Sequence, residues 1–479
     1  MNVRRRTKIV ATLGPATNQL DRIKELILAG VNVFRLNFSH GSHEEHLENI
    51  QKIRAAEEEL NVPVAVLQDL SGPKIRITEL DDGAKPIVRD EEILLKHGSK
   101  TSDHQTLYSP LLDPTKILKP GHTILLADGV MVLEVLDVTP DAANCKIIRG
   151  GSLRSRIGIA FPDSVVDLPA TTEKDMKDLS WGLENKVDFV AVSFVQKAAD
   201  IEKVTDKLKD YSNVERPLVI AKIEMRKAID NISEILSASD GIMVARGDLG
   251  VEFPVEQVPT MQKDIIARAN AMGKPVIVAT QMLHSMVHAN RPTRAEVTDV
   301  ATAVNSGTDA VMLSEETAIG QYPVESVEYL AKIATEAEKE FNFDIYKRRF
   351  ELYQSLSPVT DAIAYAACAA AHHLKASAIA ACTETGLSAR LVAKYRPRQA
   401  LYGVSTQKLS MRRMCLYWGV VPILLENPDS RGTEIDSALR EIKELENLPE
   451  DAIGIVTGGL TVRVPGTTSV LEIRTFELD

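Results

Sequence analysis

Two apolar runs in the stretch 217–250 end abruptly in charge. Lys222-Ile223-Glu224 follows Leu218-Val219-Ile220-Ala221, and Arg246-Gly247-Asp248-Leu249-Gly250 follows Gly241-Ile242-Met243-Val244-Ala245. Side chains alternate along a strand, so Leu218, Ile220, Lys222 and Glu224 share one face, with the charges at the carboxyl end. In a parallel α/β barrel that end carries the chemistry. A cation beside carboxylates from two neighbouring strands suits a divalent metal and a phosphate held together. Glu224 and Asp248 offer hard oxygen ligands for Mg²⁺ or Mn²⁺, which leave room for substrate oxygens. Lys222 and Arg35 can neutralise charge developing on a transferring phosphoryl group. Gly247 lets the backbone approach closely, and its amide with that of Asp248 suits a carboxylate.

Other apolar runs turn polar in the same place: Arg35, Asn37 and Ser39 after one, Asp69 after another, then Thr280, Ser314 and Glu316. Singly, each has an ordinary explanation. Lys222 and Glu224 read as a rim ion pair, and Asp248 as a turn or N-cap residue. A purely structural origin does not predict that every run turns polar at the same end, so the group reads as one site.

The elements that must position these residues follow from periodicity. Strand patterns start at Thr7, Val31 and Pro63. They resume with Phe189–Phe194, the two runs above, Pro275–Thr280 and Asp309–Ser314. With the helices between them they make eight βα units, the number that closes a barrel. Ser42 and Glu45 form a capping box opening a helix that runs to about Leu60. From about Ser71 to Pro169 helical periodicity disappears, and alternating runs flank Asp128-Gly129, a hairpin signal. The expectation is a TIM barrel from 1–70 and 170–340, an inserted all-β lid from 71–169, and an open α/β domain from 341–479. A charged segment around Lys347-Arg348-Arg349-Phe350-Glu351, followed by Ser357-Pro358, reads as the linker to that last domain. Its strands are expected at Ala376–Ala381, Ala400–Val404 and Val420–Leu425.

A length of 479 residues exceeds one ordinary core, and a net charge of −11 gives no reason to expect nucleic acid or an anionic membrane as partner. Cys145, Cys368, Cys382 and Cys415 are scattered, without a metal-ligand or redox spacing. The basic N-terminus runs straight into a strand, and no apolar run approaches a membrane span. A cytoplasmic protein is expected.

Seven motifs in order carry a resemblance: Lys8–Pro15, Arg35–Gly41, Asp69–Arg76, Leu218–Glu224, Gly241–Gly250, Ala279–Leu283 and Leu313–Gly320. Over essentially the whole chain the sequence resembles the pyruvate kinases. The resemblance implies phosphoryl transfer from phosphoenolpyruvate to ADP, a mobile lid, and a homotetramer. It implies Lys222 as the residue stabilising the transition state, Glu224 and Asp248 as Mg²⁺ ligands, and Thr280 and Gly247 as contacts to the enolpyruvate. Arg35 and Arg76 are implied as phosphate contacts and His40 as a nucleotide-side group, although a histidine after Ser39 is equally readable as a loop residue. The rival reading is a Mg²⁺-dependent lyase acting on a pyruvate enolate, which needs neither Arg76 nor a lid.

Two positions depart from the family pattern. A lysine expected just before Gly158 is Ile157, leaving the neighbouring Arg156 to reach the nucleotide. Position 74 is lysine where K⁺-dependent members carry glutamate. Family members with lysine there resemble a K⁺-independent group, so the cage of Asn37, Ser39, Asp69 and the Leu70 carbonyl is expected to be filled by Lys74. In the last domain, Thr383-Glu384-Thr385-Gly386-Leu387-Ser388 lies between a strand and a helix start. Its hydroxyls and free amides suit a phosphate, although Ser388 alone would pass for an N-cap. The resemblance places a phosphorylated effector here, either a sugar phosphate or a nucleoside monophosphate, on Thr383, Thr385, Gly386 and Ser388.

Overall fold

The computed structural model describes residues 5–81, 83, 85–164, 166–212, 215–341, 343, 358–426, 428, 430–459 and 468–477. The chain opens with three strands, β1 (Lys8–Thr12), β2 (Val33–Asn37) and β3 (Ala65–Asp69). Eight short strands follow: β4 (Lys85–Ile87), β5 (Glu92–His97), β6 (Thr106–Ser109), β7 (Thr123–Leu126), β8 (Met131–Val138), β9 (Ala143–Arg149), β10 (Gly151–Leu153) and β11 (Ile159–Ala160). Five more complete the first set: β12 (Phe189–Val192), β13 (Leu218–Ile223), β14 (Gly241–Ala245), β15 (Val276–Ala279) and β16 (Ala310–Leu313). These eight parallel strands close a barrel in the order β1-β16-β15-β14-β13-β12-β3-β2.

Barrel strands are buried on both faces, which is why they read as continuous apolar runs rather than alternations. Val10, Leu67, Phe189, Ile220 and Met243 fill the interior. Ile9, Phe34, Val66, Val190 and Val244 face outward against the helices. The interior does not stop at the barrel floor. Leu416, Tyr417 and Trp418 from the C-terminal domain belong to the same apolar cluster and plug it from below.

Local signals hold well. Ser42 and Glu45 make the reciprocal capping box that opens helix His43–Leu60. Thr172 and Asp175 do the same for helix Glu173–Glu184. Asp175 has a second role: its other oxygen accepts from Ser71 Oγ at 3.2 Å and from Gly72 N at 3.1 Å. One buried carboxylate thus ties the chain entering the lid to the chain that has just left it. The lid has a six-stranded sheet, β11-β7-β8-β9-β5-β6, beside a ribbon of β10 and β4. It has its own apolar core, including Ile93, Leu95, Leu133 and Phe161. At the β7–β8 turn Ala127, Asp128 and Gly129 all have positive φ (50°, 53° and 86°), the conformation that Asp-Gly accommodates.

The C-terminal domain is a five-stranded sheet in the order β19-β18-β17-β20-β21. The expected strands appear as β17 (Ala378–Cys382), β18 (Ala400–Ser405) and β19 (Val420–Leu424). Two more were not expected, β20 (Ile453–Gly459) and the antiparallel β21 (Thr468–Thr475). Their apolar signature is weak for physical reasons. The first ends in two glycines, and the second is an edge strand whose residues are mostly half-buried or exposed. The charged segment 347–351 and Ser357 lie outside the described residues; helix Pro358–His373 begins directly after. All four cysteines are buried. No helix among the described residues is long and apolar enough to cross a membrane.

Candidate active site

Lys222 is the hub at the carboxyl end of the barrel. Its ammonium lies 2.9 Å from Glu224 Oε1 and 3.3 Å from Asp69 Oδ1, and it donates to Ser193 Oγ at 2.7 Å. Ser193 in turn donates to the Leu70 carbonyl at 2.7 Å. Asp69 is shared: Arg35 Nε reaches its other oxygen at 2.6 Å, while Arg35 Nη1 donates to Thr12 Oγ1 at 3.1 Å. Burial works against a charge on Lys222, yet Asp69 and Glu224 outweigh it and its pKa is raised. Burial likewise opposes the Asp69 anion, but Lys222 and Arg35 hold its pKa below the ordinary value.

Asp248 sits in helix Arg246–Glu252, directly after β14, and its situation is the reverse. Burial and the nearby Glu224 push its carboxyl up to about 6, against the pull of Lys222 and Lys74. Glu224 and Asp248 line the same cavity between the barrel mouth and the lid, together with Lys74, Asp128, Phe161 and Phe194. Two carboxylates crowded in this way fit a divalent cation, which would relieve their repulsion. Among the described residues no group of three or more histidine, cysteine or acidic side chains forms a fuller cage.

Thr280 follows β15 with φ +71°, unusual for a β-branched residue and a mark of backbone held in place by its surroundings. Its hydroxyl accepts from Gly247 N at 2.8 Å and donates to the Ala279 carbonyl at 2.6 Å. The Gly247 amide expected to be open for a carboxylate is therefore already engaged by Thr280. Arg246 fixes the strained turn, donating to the Thr280 carbonyl at 2.7 Å and pairing with Asp299 at 2.6 Å. Ser314 and Glu316 are not open groups: Glu316 is buried and accepts from the backbone amides of Ser314 and Leu283.

On the lid side, Arg76 Nη1 donates to the Arg156 carbonyl at 2.9 Å, and Arg156 Nε pairs with Glu79 at 2.6 Å. Lys74, Arg76 and Arg156 line one groove with Glu79. Ile157 packs against the lid core, and Arg156 is exposed beside it. Lys74 departs from expectation. Its ammonium lies 3.5 Å from Asp128 of the lid and makes no hydrogen bond to Asn37, Ser39, Asp69 or the Leu70 carbonyl. The reason is visible in the cage itself: Asp69 is taken by Arg35 and Lys222, Leu70 O by Ser193, and Asn37 Oδ1 by the Ser39 amide at 3.2 Å. His40 is exposed, with its carbonyl accepting from His46 Nε2 at 3.0 Å.

Comparison with known proteins decides the family. Residues 4–327 match the pyruvate kinase barrel domain and residues 361–474 the pyruvate kinase alpha/beta domain. A protein named pyruvate kinase from Sporosarcina psychrophila is 41% identical over 482 residues, covering 98% of this chain and 80% of its own. One named pyruvate kinase 2 from Synechocystis is 42% identical, with 98% and 79% coverage. One named pyruvate kinase from Clostridium acetobutylicum is 39% identical, with 98% and 100% coverage. The chain belongs to the pyruvate kinase family.

Membership makes it a phosphotransferase, and the lyase reading is not favoured. Pyruvate kinases generally use Mg²⁺, in keeping with the Glu224 and Asp248 pair. Within this family member, Ser193, Thr12 and Arg246 are site residues that the sequence reading passed over. Ser193 lies just past β12, and a polar residue at that strand's carboxyl end is its signal in the sequence. In the C-terminal loop, Thr383 Oγ1 accepts from Gly386 N at 3.0 Å and Thr385 Oγ1 from Leu387 N at 3.4 Å. Gly386, with φ +86°, is the cap of helix Leu387–Lys394. Ser388 is therefore not the N-cap; its buried hydroxyl pairs with Thr468 Oγ1.

Proposed function

We propose that phosphoenolpyruvate binds at the barrel mouth and that its phosphoryl group passes to ADP held under the lid. The observation that carries this reading is the largely buried ammonium of Lys222 between Asp69 and Glu224, with Glu224 also lining the cavity that presents Asp248. Lys222 and Arg35 face the phosphoryl group and offset the charge it develops during transfer. Both are held by Asp69, so they are preorganised. Glu224 and Asp248 would hold the Mg²⁺ ion, which when bound would supply positive charge to offset that of the substrate oxygens. Thr280, with the amides of Gly247 and Asp248, orients the carboxylate end, Thr280 Oγ1 releasing the Gly247 amide as it does so. Arg76, Arg156 and His40 serve the nucleotide. Lys74 supplies a built-in monovalent charge beside Asp248, in place of K⁺ in the neighbouring cage. Thr383, Thr385, Gly386 and Ser388 bind a phosphorylated sugar or a nucleoside monophosphate as effector, and the working assembly is a homotetramer in the cytoplasm.

The direct test is ATP formation from ADP and phosphoenolpyruvate by the purified chain with Mg²⁺. ATP and pyruvate should appear in equal amounts, and removal of Mg²⁺ by a chelator should stop both. Pyruvate release that does not require ADP would overturn the reading.

A further inference from the structure

Arg35 lies on β2 between two neighbouring strands, and its guanidinium is braced from both. On one side Asp69 of β3 accepts from Nε at 2.6 Å; on the other, Thr12 of β1 accepts from Nη1 at 3.1 Å. Thr12 is the last residue of β1 and stands in register with Arg35. Val10 and Val33, two residues earlier on each strand, fill the barrel interior, so Thr12 and Arg35 point the same way.

The Thr12 side chain is buried, and its hydroxyl has one proton to give. That proton goes to the Leu313 carbonyl of β16 at 3.0 Å, on the far side of β1. Toward Arg35 the oxygen can therefore only accept. The backbone of Thr12 is held as well, its carbonyl accepting from Thr317 Oγ1 at 2.9 Å. The Asp69 contact alone would leave the guanidinium free to swing about the Nε–oxygen axis. A guanidinium is planar, so fixing two of its nitrogens places the third. Among the described residues Nη2 of Arg35 makes no hydrogen bond, which leaves it for an incoming anion.

We propose that Thr12 is a positioning residue for phosphoryl transfer: its hydroxyl fixes the plane of the Arg35 guanidinium, so that Nη2 meets the phosphoryl oxygens. The inference rests on the reading that Arg35 faces that group. Asp69 anchors the arginine by charge, and Thr12 gives it direction. A β-branched residue on a strand has few rotamers, which suits a hydroxyl that must not wander.

Equilibrium binding to the full chain with Mg²⁺ tests this, using two probes that share a carboxylate end. Phosphoenolpyruvate carries the phosphoryl group and pyruvate lacks it. Thr12→Val keeps the shape of the side chain and removes its hydroxyl. It should weaken phosphoenolpyruvate binding by about tenfold, the loss expected for one charge-assisted contact, and leave pyruvate binding unchanged. Thr12→Ser, which returns the hydroxyl, should recover most of the loss. In an Arg35→Lys background, which has no planar fork, Thr12→Val should cause no further loss. Thr12→Cys keeps a weak donor for the Leu313 carbonyl but offers Arg35 a poor acceptor, so it should show the same selective loss if the valine variant does not fold. Equal weakening of both probes would make Thr12 a purely structural residue and overturn the proposal. If Arg35→Lys alone binds phosphoenolpyruvate normally, the reading of Arg35 falls and takes the inference with it. If Arg35→Lys is impaired and the Thr12 variants are not, the inference alone falls.

Discussion

Lys222 has a protonation state set by a contest that the surrounding residues win. Burial lowers its pKa, and Asp69 and Glu224 more than offset that. Replacing it with methionine leaves the β13 backbone intact and removes one preorganised charge. Turnover should then fall by roughly a hundredfold or more with the circular dichroism spectrum preserved; a folded variant with near wild-type turnover would dismiss the role. Lys222 and Glu224 were legible in the sequence because a charged pair ending an apolar run is conspicuous. Ser193 was not, because its importance comes from Leu70, far away in the chain. Lys74 is the instructive intermediate. Its charge was legible, but its partner was not, since Asp128 belongs to a hairpin about fifty residues on. Lys74 brings a fixed positive charge to the cavity that Asp248 lines, the service that the proposed function otherwise asks of a bound K⁺. The unmodified enzyme should therefore run equally fast in K⁺ and in tetramethylammonium at one ionic strength. Lys74→Glu should create a K⁺ requirement. Strong K⁺ activation of the unmodified chain would contradict both statements.

At the scale of elements, the lid and the C-terminal loop each invite a separate test. The lid groove gathers Lys74, Arg76 and Arg156, while the carboxylates that suit the metal belong to the barrel. Replacing Arg156 and Arg154, exposed two residues before it, by alanine should raise KM for ADP more than KM for phosphoenolpyruvate. Equal effects would mean that these arginines do not reach the nucleotide. In the loop, Thr385→Ala is a cleaner probe than Ser388→Ala. Ser388 also bonds the buried Thr468 hydroxyl, and removing that partner costs about 1–3 kcal/mol of stability irrespective of any effector. Activation by a phosphorylated effector should weaken in Thr385→Ala while turnover at saturating substrate is kept; full activation would move the effector elsewhere. The capping boxes and the Asp-Gly hairpin could be read directly because their determinants lie within four residues. The edge strand Thr468–Thr475 could not, because its partner strand, rather than its own pattern, makes it a strand.

For the whole molecule, the eight-strand count was legible and the docking of the domains was not. The barrel floor and the C-terminal domain meet through Arg412 with Glu57, Arg396 with Asp309, and Arg413 with the Arg216 carbonyl. Each pair is remote in sequence and leaves no periodic trace. Lys274 at this junction gives a pH signature. Its pKa is about 8 when folded and 10.5 in the ordinary case. Between those values the unfolded chain binds the extra proton, so stability contributed by this group rises with pH through that window and is flat below it. The difference in unfolding temperature between the unmodified chain and Lys274→Met should change in that direction from pH 8 to 10.5. A difference independent of pH would show that Lys274 is not strained by its neighbours.

The tie that Asp175 makes between the two stems of the lid has a consequence for how the chain is born. Strand β3 pairs with β12, about 120 residues later. At ribosomal speeds of about 5–20 residues per second, β3 waits roughly 6–24 s for its neighbour. All five of its residues end up buried, three of them apolar, so for that interval an unpaired strand edge stands open to any other nascent chain. The lid, with a core of its own, can fold during the delay and bring Ser71 and Gly72 to where Asp175 will emerge. The insertion thus also shortens the effective distance over which a half-made barrel must find its other half.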